Sequence, residues 1–416
     1  MTKLFQIKEM TSGGWFLLAL SLLQISIVSC SPSPFRSDKS LTEASLKENT
    51  YYGSGECTPN APLAQAQLHR LSNKEYIYVI QDLFGVALSA GMFPNPDKKG
   101  LSGFSNDITN FSTESALADQ NIEAYFLLAA EVADKIMTEN PQSVKSLGCG
   151  QNTEACFGEI VGNLALRLFR RPLGTLKGDT APATYIELIK SRGADINEGL
   201  KLTLTSMLAS PNFLYRTYGS FATPTNGQTD LTNFEIASRL AFFLWSSAPD
   251  PELLSSNLKI EAVLNSQISR MLQDARAQRL SQVFGNEWTS YADIMELELP
   301  AEFGVKQSLR PSAMEESKQF LHYIFTEGPR LMDLFDANYS FLNDQLADFY
   351  QVSGVQGENF RRVDNLGEQR GGMLTQMSIL SVTNGPDLDT HPVRRGVWVV
   401  NEAMCLEIPD PPEGVD

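Results

Sequence analysis

Three times the sequence writes the same signal for the start of a helix. Ser72-Asn73-Lys74-Glu75, Thr232-Asn233-Phe234-Glu235 and Ser312-Ala313-Met314-Glu315 each place a hydroxyl residue three positions before a glutamate. In a capping box the two side chains satisfy each other's backbone N–H groups, which the helix itself leaves unpaired. An apolar row at helical spacing follows each one: Tyr76, Ile80, Leu83 and Phe84; then Ile236, Leu240, Phe243 and Leu244; then Phe320, Tyr323 and Ile324. Gly85 is placed to end the first helix. Asp250-Pro251 reads as a cap with proline in the first turn, and Pro392 plays that part before Val393, Val397, Val400 and Met404. Strand signals are few: Tyr339-Ser340-Phe341 alternates, over too few residues to define a sheet. The expectation is a mostly α, multi-helix chain of two or three packed helical units with few short strands.

The N-terminus constrains location rather than fold. Lys3 and Lys8 precede an apolar run from Trp15 to Val28, and Ile27-Val28-Ser29-Cys30 closes it. A basic start, a short apolar stretch and small residues before a cysteine make a secretory leader with a lipobox. Residues 1–29 are thus expected to be removed and Cys30 lipidated. Ser31 follows the cysteine where an aspartate would signal inner-membrane retention, so an outer-membrane anchor is the expectation. Residues 30–66 read as a flexible tether. Separating loops are expected near Asp97–Asn110, Phe221–Asp230 and Gly354–Asp364, and the chain is expected to divide into an N-terminal helical domain (67–154), a helical linker domain (155–220), a central helical domain (221–357) and a C-terminal domain (358–416).

With 33 basic and 49 acidic residues the chain has a formal charge of −16, which argues against nucleic acid as a partner. Beyond Cys30 it has Cys57, Cys149, Cys156 and Cys405, and an envelope location permits disulfides. Four cysteines allow three connectivities. Closeness in sequence favours Cys149 with Cys156, which leaves Cys57 with Cys405; a link from the middle pair to a distant cysteine stays open.

Seven stretches in order carry a resemblance: "LHRLSNKEYIYVIQDLFGV" (68–86), "FRRPL" (169–173), "LASPNFLYR" (208–216), "EIASRLAFFLWSSAPDPELL" (235–254), "ANYSFLNDQLADFY" (337–350), "RGGMLTQMSIL" (370–380) and "THPVRRGVWVVNEAMC" (390–405). The chain from about Leu68 to Asp416 resembles the planctomycete cytochrome-related family of exported multi-domain proteins of unknown function. The resemblance implies a redox association and a possible envelope redox partner. Relatives often continue past a stretch like "PDPPEGVD" into a Cys-x-x-Cys-His segment that attaches c-type haem, and no such motif occurs in these 416 residues. No cofactor is therefore expected in this chain, and haem only if 358–416 is truncated and a C-terminal module is missing.

Candidate chemistry is sparse. His69, His322 and His391 are the histidines. His69 precedes a helix start and reads as solvated, and His322 as a packed helix residue. Asp387, Asp389 and His391 share one loop and form a candidate metal site, although aspartates before a helix also serve as caps. Arg370, Arg394 and Arg395, with Arg361 and Arg362 nearby, form a candidate anion site; the alternative is that they pair with neighbouring carboxylates. Arg216 and Arg239 read as structural, as do Trp245, Trp288 and Trp398. Glu315 and Glu316 are adjacent and so face different sides of a helix. There is no nucleophile elbow, phosphate loop or zinc-protease motif. The functional expectation is an envelope lipoprotein acting as accessory or scaffold component of a redox system. The alternative is a periplasm-facing enzyme acting on a polymer or small molecule through an interdomain cleft.

Overall fold

A computed structural model describes residues 69–97, 104–105, 115–175, 179–193, 195–216, 230–298, 307–328, 330–367, 369–384, 390–404 and 406. The chain is mostly helical. The principal helices are α1 (Asn73–Phe84), α2 (Ser115–Glu139), α3 (Glu154–Leu168), α4 (Pro182–Lys190), α5 (Ile196–Leu208), α6 (Asn233–Trp245), α7 (Glu261–Gln273), α8 (Arg310–Glu327), α9 (Asp344–Tyr350), α10 (Met377–Asn384) and α11 (Pro392–Trp398). Among the described residues none of the helices is long and apolar enough to cross a membrane.

Two of the capping boxes form as read. Ser72 accepts from the Glu75 amide at 3.2 Å while Glu75 accepts from the Ser72 amide at 2.9 Å. Thr232 and Glu235 repeat this at 3.2 and 2.8 Å. Gly85 ends α1 in the left-handed region, at φ +69°. The third box does not form. The helix begins earlier, at Arg310-Pro311, because proline is preorganised for the first turn. Ser312 is instead a buried residue inside α8 whose hydroxyl accepts from Asn343 Nδ2 at 3.0 Å.

The first core joins α1 to α5. Val79, Ile80, Val132, Ile136, Leu164, Leu168, Ile189, Leu204 and Phe213 are buried together. α5 packs between α2 and α4, and α3 packs on α4. Gly199 permits the closest approach: a Cβ there would lie 2.3 Å from the carbonyl oxygen of Ile189. Strand β1 (His69–Arg70) pairs antiparallel with β2 (Tyr215–Arg216), so the two ends of this region meet. Cys149 and Cys156 are bonded, with Cα atoms 5.1 Å apart; Cys57 and Cys405 lie outside the described residues. The bridge tacks residues 147–149 onto α3, where Asn163 Nδ2 also holds the Leu147 carbonyl at 2.7 Å. The boundary expected between 154 and 155 falls inside that bridge.

A second core surrounds Trp245, whose Nε1 donates to the Met271 carbonyl at 3.0 Å. Arg276 covers the ring at 3.5 Å from its centroid. The third and fourth cores lie on α8. Tyr339–Leu342 is a strand, β3, and it pairs antiparallel with β4 (Arg361–Asp364), so the end of the stretch 354–364 is a strand and not the separating loop expected from sequence. β4 is mostly exposed and polar, so it carries no alternating apolar signal. The boundary expected between 357 and 358 falls inside this hairpin connection.

Candidate functional site

Three short motifs that are far apart in sequence meet behind the first core. Arg170 is buried in a left-handed conformation, at φ +59°. Its guanidinium donates to the carbonyls of Leu168, Asn212, Phe213 and Tyr215 at 2.7–3.1 Å. Arg171 holds Asp179 through two bonds of 2.7 Å, and Arg216 pairs with Glu75 at 3.3 Å. Arginine's planar fork suits such multi-carbonyl and carboxylate contacts. The space left among Arg170, Arg171, Asn212, Arg216 and Glu235 is about 20 Å³, room for a water and little else. This arrangement is a clasp that fixes 169–171 to 211–216.

The larger opening lies along α8. A cavity of about 300 Å³ is bounded by Glu315, Lys318, Gln319, His322, Tyr323, Thr326 and Glu327 of α8, by Gln278 and Ser281, and by Phe341 of β3. Ser281 lies in a π-helical turn, Leu280–Gly285, that packs on α8. Such turns are rare and are frequent at functional sites. Gly285 lets the two approach, since a Cβ there would lie 3.1 Å from Leu321 Cδ1. On the cavity wall Glu315 forms an ion pair with Lys318 and accepts from Gln319 Nε2 at 2.9 Å. The Tyr323 hydroxyl accepts from Arg362, whose guanidinium also binds Asp364 at 2.8 Å.

His322 is the one imidazole on this wall. Its Nδ1 is shielded from solvent and, among the described residues, has no hydrogen-bond partner. Burial holds it below the ordinary histidine range against the opposing pull of Glu327, and Lys318 depresses it further. It is therefore neutral near pH 7, with one ring nitrogen able to accept a proton or a hydrogen bond. From its neighbours in sequence alone, His322 is expected to pack rather than to line a cavity. The signal that expectation misses is the half-buried polar row Glu315, Lys318, Gln319, His322, Thr326 at helical spacing, between apolar neighbours.

Glu316 points the other way, into the protein, as its adjacency to Glu315 requires. It is buried and accepts from Ser340 Oγ at 2.6 Å and Tyr350 Oη at 2.7 Å. One helix thus carries a wet acid–base face and a dry carboxyl face.

The residues named from sequence fall elsewhere. Arg370 lies over the Tyr350 ring, 3.4 Å from its centroid, and donates to the Thr375 carbonyl at 3.0 Å. Arg394 donates to the Asn384 carbonyl at 3.1 Å, and Asn384 Oδ1 accepts the His391 amide at 3.0 Å. Asn384 thereby joins His391 and Arg394. Arg395 is half-buried at the side of α11, and Arg361 donates to the carbonyls of Gln356 and Asn359. Asp387 and Asp389 lie outside the described residues. Among the described residues no three histidine, cysteine, aspartate or glutamate side chains are grouped as metal ligands. His69 is half-buried opposite Arg216 in the β1–β2 pair.

A mostly helical chain stapled by buried arginines, with a polar cavity along one helix, defines the class. Four family models match it in order. They are PSD3, a protein of unknown function (DUF1587), over 69–138; PSD5 (DUF1595) over 156–217; PSD4 (DUF1592) over 231–352; and PSCyt3 (DUF1588) over 370–416. The chain belongs to the planctomycete cytochrome-related proteins, a family of unknown function. Neither a curated protein nor a solved structure matches it. Covalent c-type haem does not fit the residues present: the sequence has no Cys-x-x-Cys-His, and Cys149 and Cys156 are joined to each other.

Proposed function

We propose that the protein is a cell-envelope lipoprotein, anchored through Cys30, that serves as an accessory or scaffold component of an envelope redox system. The leader and lipobox support the location, and the cytochrome-related family supports the redox association. The observation that carries the partner role is on α11 and the π-helical turn Val399–Ala403 that follows it, inside the segment matched by PSCyt3. Val393 is 76% exposed, Val397 39% and Met404 57%. The opposite side is held to the body, with Trp398 against the third core and the Glu402 carbonyl accepting from Trp288 Nε1 at 2.6 Å. Apolar side chains aligned outward on a docked helix suit a protein partner. The occupant we assign is the redox-carrying protein of the same system.

A photo-crosslinking residue at Val393 or Met404, in protein expressed in its envelope, tests this. The expected adduct carries a redox group visible by haem staining or flavin fluorescence, and Val393→Glu with Val397→Glu abolishes it while leaving the melting temperature unchanged. An adduct without such a group, or none, overturns the assignment.

A second reading, an enzyme acting through a cleft, is favoured by the His322 cavity. There neutral His322 accepts a proton, and the Glu315–Lys318 pair orients a small polar ligand. A thermal-shift screen of small polar compounds should then give hits that His322→Ala removes.

A further inference from the structure

The dry face of α8 carries a second device, independent of any partner. Glu316 is 1% exposed, and among the described residues it forms no ion pair. Its two oxygens are held by hydroxyls, Ser340 Oγ from β3 and Tyr350 Oη from α9. Those same hydroxyl groups hold the start of α10. Tyr350 Oη accepts the Met377 amide at 2.8 Å, and Ser340 Oγ accepts from Gln376 Nε2 at 3.4 Å. Ser317, next on α8, donates to Gln376 Oε1 at 2.6 Å and accepts from Ser378 Oγ. Residues 376–378 therefore hang on the groups that surround one buried carboxyl.

We propose that Glu316 is a proton-operated latch on the C-terminal segment: with its proton on, residues 376–378 stay seated on α8, and with its proton lost they loosen. A buried carboxylate without a cation costs far more than a buried carboxylic acid. Water can reach it only by parting its cover. β3 is held by β4, and α9 by Leu346 and Ala347, both fully buried. Residues 376–378 are themselves buried, but the chain they lead into, α11, has no buried residue, so parting the cover on this side exposes the least core. The groups acting on Glu316 from the surrounding elements are Tyr350 of α9 and Arg370; β3 and α10 present only the neutral Ser340, Gln376 and Met377 amide. Burial pushes the carboxyl up to about 7, against Ser340, Tyr350 and Arg370, which pull it down. Tyr350 itself stays protonated, raised by burial and by Glu316.

In the full chain, hydrogen exchange of peptides spanning 373–384, corrected for intrinsic rates, reads the latch. Opening should rise roughly a hundredfold from pH 5 to pH 8, at about tenfold per unit until the folded-state value near 7 is passed. Glu316→Gln should remove this dependence, and Glu315→Gln, on the wet face, should keep it. Equal corrected exchange at both pH values in the wild type overturns the proposal, as does an unchanged dependence in Glu316→Gln. Should that variant fail to fold, infrared spectroscopy of the wild type decides: a protonated carboxyl band present at pH 6 and gone above pH 8 is required, and its absence overturns the proposal.

Discussion

Gly199 and Gly162 show how differently one residue type can matter in this protein. Gly199 sits where α5 crosses α4, with a Cβ position only 2.3 Å from the Ile189 carbonyl oxygen and 2.8 Å from its Cα. Backbone cannot swing aside as a side-chain tip can, so Gly199→Ala should force the helices apart. We expect a loss of about 1–3 kcal/mol, read as a lower melting temperature. Gly162, exposed on α3, faces open space. Gly162→Ala should instead gain roughly 0.5–1 kcal/mol from helix propensity. Glu316 sets a pH dependence of the opposite sign to an ordinary paired carboxylate. Its folded-state value, about 7, lies above its ordinary 4.5, so the native state holds the proton more tightly. Stability from this group is complete below pH 4.5 and is lost as the pH rises to 7, by about 3 kcal/mol in all. Urea unfolding of wild type and Glu316→Gln across that range should show the slope in the first and not in the second.

At the scale of elements, caps were the most legible feature because their chemistry is local. Ser72, Thr232, Gly85 and Asp250 needed only their own neighbours to act as the sequence indicated. Thr232→Ala, which removes the acceptor for the Glu235 amide, should cost about 1 kcal/mol, measured as a lower urea midpoint with unchanged slope. Ser312 misled because the same pattern can lie inside a helix that Arg310-Pro311 has already begun, and because its hydroxyl answers Asn343 from another element. β4 was illegible for a related reason: its residues are exposed, and only the partner strand 339–342 makes them a strand. The cavity was half legible. The polar row on α8 is in the sequence, but the wall opposite it comes from Gln278, Ser281 and Phe341, which no spacing rule connects to His322.

At the scale of the whole molecule, long-range chemistry converts weak motifs into architecture. "FRRPL" and "LASPNFLYR" are unremarkable alone, yet Arg170 and Arg171 bind the carbonyls of Asn212, Phe213 and Tyr215 and the Asn212 side chain. These 416 residues, expressed with cytochrome maturation machinery, should show no haem-staining band after denaturing electrophoresis, because the paired thiols and adjoining histidine are not in the sequence. The central claim is that the protein works from a lipid anchor at the cell envelope. Labelled palmitate given to cells making the full chain tests it directly. We predict label in the wild-type protein, none in Cys30→Ala, and an uncleaved precursor in that variant. A wild-type protein that never takes up label would contradict the account.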